Sequence, residues 1–275
     1  MKLSSDGRVS ESQKEMELKM LPSFSDWHDV NAFYYDWWRR GETLSQVVGM
    51  VKGGARVLDA GSAPGFTSIG LSMLGYEVVS LDINPEPYRK ILEEQKIEVV
   101  KANLEDEKIP LPDQSFACVV FTEVIEHLHP YRTNFFMSEI NRVLSKGGLL
   151  YLTTPNLASL SRRFRLLFGK EPTPVFHTKE HTLKWVCSIL SENGFEVLTR
   201  GYSTAYNVLT FGARNADLKL GLIRGFYKYP NVANAFRIAT YPIVYAVPQL
   251  RGTLTVAARK AEYVSPDNRP EEEET

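Results

Sequence analysis

Residues 57–70 read Val-Leu-Asp-Ala-Gly-Ser-Ala-Pro-Gly-Phe-Thr-Ser-Ile-Gly, an apolar run that passes through a glycine-containing turn into helix-forming residues. The run predicts a buried strand, and Gly61 is expected in the tight turn because glycine carries no Cβ. Gly65 is expected to let the helix start close to the strand. The free N–H groups at the start of that helix would then face a crevice and favour a small polar or anionic ligand.

A second apolar strand, residues 77–81, ends in Asp82, about 20 residues beyond the glycine turn. A carboxylate at this position can accept hydrogen bonds from both hydroxyls of a ribose. The turn and the acid together indicate an adenosine-containing cofactor. Ala63 stands where a dinucleotide-binding loop needs glycine for its pyrophosphate, so NAD and FAD are disfavoured.

Further motifs follow in a fixed order. Together with the first two, the series is Asp59-Gly61-Gly65, Asp82, Asn103-Leu104, residues 112–116, residues 122–127 and residues 144–148. Over about residues 50–200 this series resembles the class I S-adenosylmethionine-dependent methyltransferases. The resemblance implies S-adenosylmethionine as cofactor and an α/β fold: a Rossmann-like seven-stranded sheet with helices on both faces. The cofactor-binding residues that it implies are Asp59, Gly61, Ala63, Gly65, Asp82, Ile83, Asn103, Leu104 and Thr122. A Rossmann-like domain with another cofactor is the alternative.

Three residues that can carry chemistry, Glu123, Glu126 and His127, directly follow the predicted fourth strand, next to where the cofactor's methyl group should lie. A helix starting here would place them on one face. Two carboxylates and an imidazole suit a divalent cation, and His127 alone could act as the base that removes a hydroxyl proton.

With His177 added, the pattern resembles two metal-assisted groups, the small-RNA 2′-O-methyltransferases and the ubiquinone-pathway O-methyltransferases. By that resemblance Glu123, Glu126, His127 and His177 would hold a metal against vicinal oxygens of the acceptor. The Glu-x-x-Glu-His pattern also occurs in small-molecule and glycan methyltransferases with no demonstrated metal. His129 and His181 are expected at the surface.

The composition indicates one α/β domain with additional segments. A chain of 275 residues, 43% of them hydrophobic, can bury a full core without oligomerising. Two cysteines are too few for a disulfide scaffold or a zinc ribbon, and residues 1–20 contain no apolar run suited to a signal peptide or anchor, so a cytoplasmic location is expected. The predicted organisation is a disordered N-terminus (1–22), a methyltransferase domain (23–200 and 253–262), an insertion (201–252) and an acidic tail (263–275). Within that domain, the aromatic segment 27–38 is expected either to close over the cofactor or to pack outside the sheet.

The insertion between the last two strands is expected to overhang the active site, because strand six should run parallel to the other strands. Residues 198–260 hold nine basic residues and one acid, Asp217, interleaved with aromatic residues. Such a surface suits an anionic membrane, a nucleic acid or an anionic substrate, and an amphipathic cap with a solvated basic rim is the structural alternative.

The acceptor expected from these features is a sugar, a glycan or a lipid-linked small molecule that is methylated on oxygen, with peripheral contact to an anionic membrane. RNA 2′-O-methylation is the alternative. A third hypothesis is a methyltransferase fold without catalytic activity that serves as a binding subunit. The presence of the predicted cofactor-binding residues disfavours this hypothesis. No obligate protein partner is evident from the sequence.

Overall fold

The computed structural model describes residues 37–203 and 232–261. The strands are β1 (Arg56–Ala60), β2 (Glu77–Asp82), β3 (Glu98–Lys101), β4 (Phe116–Thr122), β5 (Leu144–Pro155), β6 (Phe195–Ser203) and β7 (Thr253–Lys260). The α-helices are α1 (Trp37–Met50), α2 (Phe66–Met73), α3 (Arg89–Glu94), α4 (Thr133–Val143), α5 (Leu160–Leu167), α6 (Leu183–Glu192) and α7 (Val232–Ala246). Short 3-10 helices lie at Glu86–Tyr88, Pro130–Arg132 and Pro248–Leu250.

The strands form one seven-stranded sheet in the order β3-β2-β1-β4-β5-β7-β6. Every pairing from β3 to β5 is parallel, and β7 runs antiparallel to both β5 and β6. Strand β6 is therefore parallel to the first five. The predicted fold class and the predicted parallel direction of the sixth strand are confirmed.

Helices cover both faces of the sheet because its parallel strands are apolar on both sides. On one face, Leu44 of α1, Phe66 of α2 and Leu92 of α3 are buried in one cluster. On the other face, Phe136 of α4 and Leu190 of α6 are buried in a second cluster. The two clusters hold the helices on the sheet. Because β1, β2 and β4 are parallel, their carboxyl ends meet at one edge.

The turn after β1 needs glycine for two separate reasons. Gly61 has φ +74°, and a Cβ built on it would lie 2.3 Å from Cγ2 of Val124. Gly65 has φ +90° and precedes α2. A Cβ there would lie 2.8 Å from Cδ2 of Leu92, which belongs to helix α3. Gly65 therefore allows α3 to pack closely against the turn, whereas the sequence had indicated a close approach of α2 to the strand.

The predicted segments 1–22 and 263–275 lie outside the described residues, as does most of the aromatic segment 27–38. Of the predicted insertion, residues 204–231 also lie outside them. The first three residues of that insertion continue β6 to Ser203, and its later part contains α7. Within the two described ranges, no helix has the length and apolar character needed to cross a membrane.

The replacement Gly61→Ala should destabilise the fold more than Gly75→Ala does. Both glycines have positive φ, but a Cβ on Gly75 would meet nothing within 4 Å. Gly75→Ala therefore measures backbone strain alone, about 1–2 kcal/mol. The contact with Val124 should add about 1–3 kcal/mol at Gly61. Denaturant unfolding of both variants checks this, and Val124→Ala should recover part of the Gly61→Ala loss. Equal losses at the two glycines would show that the Val124 contact is unimportant.

Candidate active site

A cavity of about 170 Å³ opens at the carboxyl ends of β1 and β4. It is lined by residues of α1, the turn after β1, the start of α2 and the end of β4: Arg39, Arg40, Thr43, Asp59, Gly61, Ser62, Ala63, Pro64, Phe66, Thr67, Thr122 and Glu123. Complete ligand pockets measure roughly 300–1,000 Å³. The cavity therefore has room for one part of a nucleoside cofactor, and the remainder would lie along the open edge of the sheet.

Asp82 lies at that edge, at the end of β2. Its Oδ2 accepts a hydrogen bond from the backbone N–H of Ala63 (3.0 Å), and its Oδ1 accepts one from the N–H of Asn84 (2.9 Å). The two bonds fix the carboxylate beside the glycine turn and leave further lone pairs on both oxygens for the hydroxyls of a ribose. Ile83 follows with 58% of its surface exposed.

The other two residues that were expected at the adenosine end, Asn103 and Leu104, follow β3. Asn103 Oδ1 accepts a hydrogen bond from Glu105 N (3.1 Å), so this side chain supports its own turn. The side chain of Leu104 is buried in the core. Like Asp82 and Ile83, neither residue lines the cavity.

Asp59 is a buried acid within the cavity wall, with 1% of its surface exposed. Its Oδ2 accepts a hydrogen bond from Ser68 Oγ (2.6 Å). Burial, which disfavours the charged carboxylate, raises the pKa of Asp59 to about 7. The carboxyl group is therefore only partly ionised at neutral pH.

The segment after β4 does not begin a helix. Glu123 has φ +56°, and the N–H of His127 bonds to the carbonyl of Val124 (2.9 Å) in a turn. The regular helix α4 starts only at Thr133. Glu123 consequently faces the cavity: its Oε2 lies 2.7 Å from Arg39, and its Oε1 accepts a hydrogen bond from Thr153 Oγ1 (2.9 Å).

Three of the four residues expected to hold a metal lie together. Ligand atoms of Glu126, His127 and His177 are all within 4.8 Å of one another, and Glu123 is not part of this group. Glu126 is buried, and one of its oxygens accepts a hydrogen bond from Thr154 Oγ1 (2.9 Å). Burial raises its pKa to about 7. The helical arrangement that would have put Glu123 on the same face is absent from this segment.

The two histidines of the group have their Nδ1 atoms already engaged. His127 Nδ1 lies 3.1 Å from the carbonyl oxygen of Phe176, and His177 Nδ1 lies 2.9 Å from Glu180 Oε1. Glu180 is itself buried and held by both nitrogens of Arg162. With Nδ1 donating, the Nε2 atom of each ring is left with a lone pair for a proton or a metal ion. Burial also lowers the pKa of His177, which favours the neutral ring that a metal requires.

The surface position predicted for His181 is wrong. Only 3% of this residue is exposed, and its ring stacks on Trp185 with centroids 3.9 Å apart. Burial lowers its pKa to about 4. His129 is exposed as expected and bonds through Nδ1 to Glu105.

Sequence reasoning missed the contribution of α1 to the cavity. Arg39 and Arg40 line it, and Arg40 lies over the ring of Phe66 at 4.3 Å from the centroid. The only signal in the sequence was that this arginine pair directly follows the aromatic run 33–38. The role of Thr153, which bonds to Glu123, had no signal at all.

The fold and the cavity together define a Rossmann-like domain with a crevice at the carboxyl ends of β1 and β4, which is where open α/β sheets bind their ligands. A family model described as a methyltransferase domain matches residues 58–152. This range contains the glycine turn, Asp82 and the segment after β4. The matched range thus identifies a methyltransferase domain within this chain, and the fold around it is that of the class I S-adenosylmethionine-dependent methyltransferases.

Known proteins agree with this assignment. A Mycolicibacterium smegmatis protein named "Probable S-adenosylmethionine-dependent methyltransferase" is 31% identical over 58% of this chain and 60% of that protein. The human mitochondrial ubiquinone biosynthesis O-methyltransferase is 30% identical over 53% of this chain and 42% of that protein. The match thus spans about half the length of these curated relatives. A crystal structure of a SAM dependent methyltransferase from Archaeoglobus fulgidus has the same fold, with a TM-score of 0.55 at 21% identity, over 86% of this chain and all of that one.

Asp59→Asn should stabilise the protein at pH 8 and change little at pH 4. Since the folded pKa of Asp59 is raised to about 7, the folded state binds more protons than the unfolded state between about pH 4 and 7, and stability falls as the pH rises through that window. Above it, the native carboxylate destabilises the fold by on the order of 2–4 kcal/mol. Asparagine removes the charge and can still accept from Ser68.

Urea denaturation of both proteins from pH 4 to 8 measures this difference. A stability gap that stays constant over the whole range would contradict the assignment of a raised pKa to Asp59.

Proposed function

We propose that this protein transfers the methyl group of S-adenosylmethionine to an oxygen atom of a sugar, a glycan or a lipid-linked small molecule. The observation that carries the proposal is the group Glu126, His127 and His177, two members of which follow the cavity-lining residue Glu123 within four residues of the chain. The chain fits the cofactor, because the turn of Gly61, Ser62 and Ala63 lines the cavity and Asp82 is fixed beside that turn by the N–H of Ala63.

The reaction places few demands on the protein. The sulfonium methyl is already activated, so the acceptor oxygen needs in-line placement about 3 Å from it and shielding from water. A hydroxyl must also lose its proton, and His127 Nε2 is available to take it. When bound by Glu126, His127 and His177, a divalent cation would lower the pKa of that hydroxyl. Glu123, by contrast, lines the cavity assigned to the cofactor and is not assigned to the metal.

The surface next to His127 supports an acceptor with an apolar part. Phe176, whose carbonyl accepts from His127, is 73% exposed, and Leu167 and Phe168 at the end of α5 are exposed as well. A ubiquinone O-methyltransferase, such as the human relative, is named for a comparable reaction on oxygen. RNA has less support, because Arg162 of the basic helix α5 is committed to buried Glu180. Residues 204–231, where most of the basic insertion lies, are outside the described part of the chain.

Transfer of labelled methyl from S-adenosylmethionine into a host extract tests the acceptor class. The extract is separated into lipid-glycan and RNA fractions, each assayed with and without a chelator. Label in the lipid-glycan fraction is expected, with loss on chelation. Label that is confined to RNA would replace the proposed acceptor, and chelator-insensitive transfer would leave His127 as base without a metal.

Asp82→Ala should abolish binding of S-adenosylhomocysteine while leaving the fold intact. Two charge-assisted hydrogen bonds to a ribose contribute about 1.5–3 kcal/mol each, so the affinity should fall by a factor on the order of 100 or more. Isothermal titration calorimetry measures the affinity, and circular dichroism checks the fold. Asp113→Ala is the matched control, because Asp113 is a surface aspartate bonded to Arg142 away from the site. Unchanged affinity in Asp82→Ala would remove the ribose assignment.

Glu126→Gln should weaken binding of Mn²⁺ at least tenfold, whereas Glu123→Gln should leave it unchanged. The reason is that Glu126 belongs to the donor group and Glu123 bonds to Arg39 and Thr153. Wild-type affinity should also rise between pH 6 and 8, as the carboxyl of Glu126, with its pKa of about 7, loses its proton.

Titration calorimetry with Mn²⁺ provides the readout for these variants. His127→Ala should abolish binding, and His129→Ala is its matched control, because His129 is exposed two residues away and bonds to Glu105. Equal losses in Glu123→Gln and Glu126→Gln would restore the four-residue ligand set and contradict the three-residue one.

A further inference from the structure

A buried carboxylate contacts one histidine of the donor group formed by Glu126, His127 and His177. It belongs to Glu180, whose side chain is fully buried. Glu180 Oε1 lies 2.9 Å from Nδ1 of His177, and both oxygens of Glu180 also accept hydrogen bonds from the guanidinium of Arg162. Removing a buried carboxylate from water is costly, and the fork of donors on Arg162 compensates that cost.

The loop that carries His177 is fastened to the segment after β4 by its backbone. The N–H of Thr178 bonds to the carbonyl of Glu126 (2.8 Å), and Thr178 Oγ1 donates to the carbonyl of His127 (2.8 Å). These bonds bring His177 to the donor group without fixing its ring. The ring also meets the rings of His127 and Phe176 edge-on, and such contacts do not select one nitrogen over the other.

The contact with Glu180 determines which nitrogen of His177 carries the proton. A carboxylate can only accept hydrogen bonds, so Nδ1 of His177 is the donor in this pair. In the neutral ring, Nε2 then keeps its lone pair. A ring with its proton on Nε2 would set a lone pair against the carboxylate and would have nothing to offer a metal ion. Carboxylates orient metal-binding histidines in this way in many proteins.

We propose that Glu180 and Arg162 are positioning residues: Glu180 holds His177 with its proton on Nδ1 and its lone pair on Nε2, and Arg162 holds Glu180. The proposal rests on the proposed function, because it treats Glu126, His127 and His177 as one donor group. Neither positioning residue is itself a ligand. The proposal gives helix α5, which carries Arg162, a role in the site although α5 does not line the cavity.

The position of the proton on His177 can be measured without any metal ion. In protein labelled with nitrogen-15, at pH 8 where the ring is neutral, proton–nitrogen correlation spectra distinguish protonated from unprotonated ring nitrogens. His177→Ala identifies the signals of His177 by their loss. We expect the proton on Nδ1 in the wild type. Glu180→Gln should give a mixture of both tautomers, because an amide can either accept or donate.

Binding of Mn²⁺, measured by titration calorimetry, is the second readout. Glu180→Gln should weaken it by about 10- to 100-fold. The matched control is Glu139→Gln: Glu139 is also a buried carboxylate held through both oxygens by an arginine, Arg142, but its remaining partner is the backbone N–H of Ile109. This control should keep the wild-type affinity for Mn²⁺ and the wild-type signals of His177, and thermal unfolding measures what each replacement costs the fold.

Three results would overturn the proposal. The first is a wild-type His177 with its proton on Nε2, a measurement that needs no Glu180 variant to fold. The second is Glu180→Gln with a single tautomer and wild-type affinity for Mn²⁺. The third is an equal loss of affinity in Glu139→Gln, which would mean that a buried ion pair acts only through stability. Wild-type protein that binds no Mn²⁺ would refute the metal of the proposed function, and the tautomer measurement would then decide the role of Glu180 by itself.

Discussion

The tight turn after β1 is the constraint on which the rest of the site depends. At Gly61 the backbone takes a left-handed conformation directly beneath Val124, at a distance that excludes any Cβ. This close approach brings the end of β1 and the segment after β4 together at the carboxyl edge of the sheet, where the order of the strands reverses between β1 and β4. The turn also presents the N–H of Ala63 to Asp82, so the carboxylate that is proposed to bind the ribose is fixed by the same few residues.

The segment 123–127 connects the two halves of the candidate site. Glu123 faces the cofactor cavity, Val124 packs on the glycine turn, and Glu126 and His127 belong to the donor group. Because the segment is a turn with a left-handed residue at its start, successive side chains leave in different directions. A helix here would have put the carboxylates on one face and left the cavity without Glu123. Under the proposed function, one end of this five-residue segment would contact the methyl donor and the other end would contact the acceptor.

Much of the fold was predictable from the sequence, because continuous apolar strands and glycine turns are local patterns. The glycines were identified correctly, but the neighbour of Gly65 was not, since Leu92 is brought to it only by tertiary packing. The same holds for His181, whose burial against Trp185 no local pattern indicates. Arg39 and Arg40 were missed because arginine in a helix usually faces solvent. Glu123 was grouped with Glu126 by helical spacing, which its positive φ excludes.

The most direct test of the account is a crystal structure of the protein with S-adenosylhomocysteine and Mn²⁺, with the metal located by its anomalous signal. The account predicts the nucleoside beside the β1 turn with its ribose at Asp82, and Mn²⁺ on the donor group of Glu126, His127 and His177. A nucleoside bound away from the β1 turn would contradict the cofactor site. Manganese held by Glu123, or absent from the donor group at saturating concentration, would contradict the division of the site into a cofactor side and an acceptor side.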